Sequence, residues 1–153
     1  MKRQVRIWTA GILAGFISEA FMGLIFTSQA IKGLLYNPKL QSEKFIEITS
    51  SREVSLPTTI IGMILLSGIH SWLFSILHES IPGQTKLKQG LFFGFMIWLV
   101  YWLFQEWFVY HTMLGEPILL TLLELAILLA GSLIEGIIIS FLVSGINHKT
   151  IKA

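Results

Sequence analysis

The chain has 153 residues, 54% of them hydrophobic and 13% charged, about half the charged fraction of an ordinary soluble domain. It contains no Cys, and its nine acidic residues are all Glu, which excludes disulfides, thiolate metal sites, iron-sulfur clusters, Cys nucleophiles, aspartyl-phosphate chemistry and paired-Asp magnesium sites. The net charge of +2 comes from basic residues at the ends of apolar runs, not from a patch, a pattern that speaks for membrane orientation and against a nucleic-acid partner.

Four apolar runs each exceed the ~18 residues needed to cross a hydrocarbon core. They predict an all-α, polytopic integral membrane protein: a four-transmembrane-helix bundle with a short outer-surface helix between the first two spans, in a single membrane domain over residues 1–153. The first run, about 7–35, follows Lys2, Arg3 and Arg6. Ser18-Glu19-Ala20 has the small residues of a signal-peptide cleavage site, but the apolar stretch continues through Phe26, so the segment reads as a retained span. Between Lys32 and Ser55, Asn37-Pro38 resembles an N-cap followed by the first helical residue. The mixed residues that follow it predict a helix lying on the membrane surface, or a lid over a cavity between the spans. The second run, 56–77, opens on Leu56-Pro57, and the fourth, 117–144, opens at Glu116-Pro117. The third, 87–110, is crowded with aromatics, and its deep Trp98 and Trp102 are expected to fill helix contacts or face lipid rather than hold a cofactor.

Lys and Arg counts set the expected orientation. With both termini cytoplasmic, Lys2, Arg3, Arg6, Lys86, Lys88, Lys149 and Lys152 lie inside, against Lys32, Lys39, Lys44 and Arg52 outside. A bacterial cytoplasmic membrane is the expected location, with the lipid bilayer as the first partner.

An ionisable side chain within a span costs at least about 2.5 kcal/mol, so Glu19, His70, Glu106, Glu124 and Glu135 are the candidate proton- or ligand-binding residues. Gly11, Gly15, Glu19 and Gly23 recur every four residues, a small-residue stripe that should turn Glu19 into the bundle. Glu124, Gly131 and Glu135 fall within about 20° of one direction on an α-helix. Gly90, Gly94, Trp98, Trp102 and Glu106 repeat at intervals of four. At about 1.5 Å per residue, Glu19, His70 and Glu135 lie about 11 to 18 Å from the cytoplasmic ends, and Glu106 and Glu124 about 27 to 30 Å. Two layers are therefore expected: Glu19 with His70 and Glu135 near mid-membrane, and Glu106 with Glu124 farther out, near Gln105, His111 and Glu116 at the rim.

No metal site and no cofactor are expected. Carboxylate-bridged di-iron bundles use Glu-x-x-His, whereas Glu106 and His111 are five residues apart, about 140° around an α-helix. A bis-His haem needs two His at one depth; only His78 and His148, both near the inner surface, would match. No phosphate-binding loop, nucleophile elbow or His-Glu-x-x-His is present. In size and span number the chain resembles the MAPEG glutathione-dependent membrane enzymes and the DoxX-type proteins, in architecture alone. The second span lacks the Arg, Asn and Glu that a glutathione site would need.

Three functions remain. The first is proton-linked transport or binding of a small solute at Glu19, His70 and Glu135, in a homo-oligomer large enough to enclose a pathway. The second is a non-catalytic accessory or assembly subunit docked through small-residue stripes to a larger membrane complex. The third, with the least to rest on, is a membrane enzyme acting on lipid or quinone through Glu106, Glu124 and the third span's aromatics.

Overall fold

The computed structural model describes residues 2–150, with side chains for residues 2–145. Those residues form helices and turns and no strand. In chain order the elements are α1 Lys2–Phe26, α2 Gln29–Leu35, α3 Glu43–Ser51, α4 Leu56–Leu77, α5 Lys86–Ile97, the π-helical stretches π1 Trp98–Trp102 and π2 Gln105–Met113, and α6 Ile118–Thr150. Among the described residues, four helices are long and apolar enough to cross a membrane: Lys2–Phe26, Leu56–Leu77, Lys86–Met113 and Ile118–Gly145.

The first run does not extend to residue 35 as one helix. Thr27 Oγ1 bonds to Gly23 O at 2.6 Å and Ser28 Oγ to Ile25 O at 2.7 Å. Thr27 N still donates to Gly23 O at 2.9 Å, but Ser28 N turns to Ile25 O at 3.1 Å, which ends the i→i−4 ladder, and Ser28 then N-caps α2. The helix expected at Asn37-Pro38 also begins later. Asn37 Oδ1 accepts from Lys39 N at 3.0 Å, which closes a turn, and the cap is Ser42, whose Oγ accepts from Phe45 N at 3.1 Å. The connection between the first two spans thus holds two short helices, not one.

α1 packs on both α4 and α6, and α5 packs along α6, with Phe93 of α5 edge-on to Phe74 of α4 at 5.2 Å. Close approach depends on glycine at both seams. A Cβ on Gly11 would overlap the Ser67 carbonyl of α4, one on Gly15 the Ser67 side chain, and one on Gly136 the backbone of Gly90 and Gly94 on α5, so at both seams the backbones approach closely. Gly23, at the end of the expected stripe, meets nothing within 4 Å. The stripe therefore packs over its first half and opens over its second.

The apolar core gathers Ile7, Ala10, Ala14, Phe74, Phe93, Ile97, Ile139 and Val143. Given the antiparallel order, these all sit at the end of the bundle that carries the start of α1. Polar burial is displaced toward the opposite end, where α2, α3 and the turn before α6 lie.

That opposite end is closed by the chain between α1 and α4. Phe45 of α3 packs edge-on against Tyr110 of π2 at 5.4 Å. Ser42 Oγ donates to Leu114 O at 2.6 Å and Lys44 Nζ to Met113 O at 2.7 Å. The segment expected to lie on the membrane surface or to cover a cavity between the spans is tied to the turn between the last two spans, as a cap.

Candidate functional site

The third span departs from α-helical winding at Trp98 and, apart from Leu103 and Phe104, keeps i→i+5 geometry to Met113. Phases counted at 100° per residue hold up to that point only. Glu106 nevertheless points inward and is 2% exposed. Trp98 uses its indole to donate to Leu125 O of α6 at 2.9 Å, a helix contact of the kind expected for a deep Trp. Trp102 instead lines two cavities.

The first cavity, of about 240 Å³, is bounded by α1, α4, π1 and α6. On its wall His70 Nδ1 lies 2.9 Å from Glu135 Oε1. Glu19 also lines this cavity, but it is exposed: the α1 stripe expected to turn it into the bundle has already opened at this level, past Gly15. His70 and Glu135 are therefore in direct contact, and Glu19 stands at the edge of their cavity. α6 is held to α1 at this level by Ser18 Oγ, which donates to Gly131 O at 2.8 Å.

The second cavity, of about 340 Å³, is walled by Glu19, Glu106 and Glu124 together with Tyr36, Thr49 and Gln105. Tyr36 and Thr49 come from the cap, so this segment roofs the cavity. Burial pushes the Tyr36 phenol above its ordinary pKa, and the nearby charges of Glu124 and Glu116 push it further. The phenol stays a donor at neutral pH. Glu19, Met22 and Trp102 line both cavities.

Glu106 and Glu124 adjoin each other as the expected outer layer. Glu116, placed at the rim by counting along the sequence, is buried with them at 1% exposed. Gly115, at φ 71°, turns the chain inward just before it. Glu116 Oε1 accepts from Gln41 Nε2 at 2.6 Å and Oε2 from Thr121 Oγ1 at 2.9 Å. One carboxylate oxygen from each of Glu106, Glu116 and Glu124 lies within 4.8 Å of the others. Glu116 thus joins the outer pair, as its nearness in sequence suggests, but from inside the bundle rather than from the rim, while nothing in the sequence pointed to Gln41 or Thr121 as its partners. The available signal was that Glu106 and Glu124 lie at one depth on either side of the short turn carrying Glu116.

His78 Nδ1 is 3.1 Å from Ser75 O and its ring stands 6.3 Å from that of Phe74, while the His148 side chain lies outside the described residues. His111 Nδ1 is 2.7 Å from Glu116 O, which fixes the ring against the turn.

The chain belongs to DUF6789, a family of unknown function whose profile covers residues 5–149. No curated protein and no solved structure matches it.

Proposed function

We propose that this member of DUF6789 is a four-span membrane protein that links proton uptake and release to the binding or movement of a small polar solute, with Glu19, His70 and Glu135 as the titrating groups. The observation that carries the reading is the position of Glu19. It lines both cavities, with the His70–Glu135 pair beside it in one and polar cap residues in the other. A carboxyl there can exchange protons with the pair and with solute or water in the second cavity. Structural fastening alone is a weak explanation, because Ser18 already ties α1 to α6 and hydroxyls do so at far lower desolvation cost than carboxyls. In the same reading both termini face the cytoplasm, as the Lys and Arg counts indicate. The cavities are completed by a second copy of the chain packing on the open half of the α1 stripe, around Gly23.

The test is infrared difference spectroscopy of the protein in liposomes across a pH titration, with proton uptake followed by an enclosed pH-sensitive dye. Glu19→Gln and Glu135→Gln keep shape and hydrogen bonding but cannot ionise. Each is expected to remove a titrating carboxyl band and to abolish proton uptake while the helical content stays unchanged. If both variants keep the full proton response, the proton-linked reading is wrong and an accessory-subunit role takes its place.

A further inference from the structure

We propose that Glu106, Glu116 and Glu124 form a binding site for an oxygen-preferring divalent cation of the Mn²⁺, Ca²⁺ and Mg²⁺ class. The site is separate from the Glu19, His70 and Glu135 group and does not depend on its role.

Geometry comes first. The three carboxylate oxygens lie within 4.8 Å of one another. Such ions bind oxygen at about 2.0 to 2.6 Å, so ligands on opposite sides of one ion stand about 4 to 5 Å apart and adjacent ones closer. A single ion reaches all three side chains without a change of backbone. The donor set is oxygen only, which selects these hard cations over zinc or copper.

The second observation concerns atoms the fold leaves without partners. Glu106 and Glu124 are 2% and 5% exposed, yet Oε2 of each is sealed from solvent with no hydrogen-bond partner. An orphaned buried carboxylate oxygen is expensive, and two of them on side chains within hydrogen-bond reach of each other call for a cation or a proton between the two carboxyls. Glu116 is the opposite case. Both its oxygens accept hydrogen bonds, from Gln41 and Thr121. Each oxygen keeps a lone pair for a metal, so Gln41 and Thr121 act as the outer groups that orient a ligand.

Charge and access agree with this. Three carboxylates this close repel one another in a low-dielectric site, and a divalent ion offsets two of the three charges. The residues lining the adjoining cavity include no Lys or Arg among the described residues. That cavity of about 340 Å³ borders Glu106 and Glu124, which gives an ion a route in and leaves room for the water ligands these cations retain. Because Glu106 is on π2, Glu124 on α6 and Glu116 on the turn tied to the cap by Gln41, a bound ion would join all three.

The rival occupant is a proton shared between Glu106 and Glu124. The experiment is titration of the purified full-length protein in detergent with Mn²⁺, followed by electron paramagnetic resonance, with Ca²⁺ and Mg²⁺ as competitors. Expected is a saturable site of one Mn²⁺ per chain, displaced by at least one competitor. Glu106→Gln and Glu124→Gln should each weaken it about tenfold or more, while Glu79→Gln, at an exposed position just beyond α4, leaves it unchanged. Circular dichroism of each variant shows that it is folded. Should one Gln variant fail to fold, the other gives the result. Weak, unsaturable binding overturns the proposal, as does binding that survives in a folded variant. So does a folded wild-type protein that takes up no Mn²⁺ and shows a protonated carboxyl band lost in Glu124→Gln, the mark of the shared proton.

Discussion

His70 and Glu135 join two helices that otherwise have little to do with each other. Their side chains meet at 2.9 Å, Nδ1 to Oε1, whereas α4 packs mainly on α1 and touches α6 lightly. The pair lies on the wall of a cavity rather than within a packed seam, so its geometry is maintained by the pair itself and by the two helices anchored elsewhere.

A double-mutant cycle with His70→Ala and Glu135→Ala should therefore give a coupling of about 1 to 2 kcal/mol in reversible detergent unfolding, the upper range for polar pairs in membrane bundles. Additive single effects would show that the contact contributes nothing to the fold.

Gly15→Leu should lower the unfolding midpoint in detergent sharply, because its side chain would enter the volume of Ser67; overpacking of this kind typically costs about 1 to 3 kcal/mol. Leu13→Ile, at a position 52% exposed, should have little effect. Gly23→Leu, where nothing lies within 4 Å, should be as mild in the monomer but should reduce self-association on the open half of the stripe. Equal loss of stability at residues 15 and 23 would contradict the packing described.

The cap should respond to a single hydroxyl. Ser42 Oγ both accepts from Phe45 N and donates to Leu114 O, so Ser42→Ala removes the N-cap of α3 and one tie to the turn before α6. A loss of about 1 to 2 kcal/mol is expected, together with faster amide exchange across α3. Ser50→Ala, at an exposed hydroxyl that bonds only within its own helix, is the matched control and should exchange as the wild type does.

Orientation can be read by thiol labelling, since the chain has no Cys background. A Cys at Ser50, exposed on α3, should react in intact cells with a membrane-impermeant reagent, and one at Gln84, exposed between α4 and α5, should react only after permeabilisation. The reverse pattern would place the termini outside.

Hydropathy along the sequence was enough to define four membrane-length helices, because an apolar run of that length is set by composition and needs no knowledge of neighbours. The second run matches α4 residue for residue. Rise per residue also sorted Glu19, His70 and Glu135 from Glu106 and Glu124, since depth in an antiparallel bundle is a one-dimensional quantity. Contacts that depend on backbone departures were beyond that reasoning. The turn at Ser28, which caps a new helix, ended α1 before the apolar run did, and the i→i+5 winding from Trp98 onward changed which residues share a face. A left-handed Gly115 turned Glu116 from the rim into the bundle. The acidic group was decided only by the tertiary structure: its members come from π2, a turn and α6, and Gln41, 75 positions before Glu116, reaches it only because the cap folds across the end of the bundle.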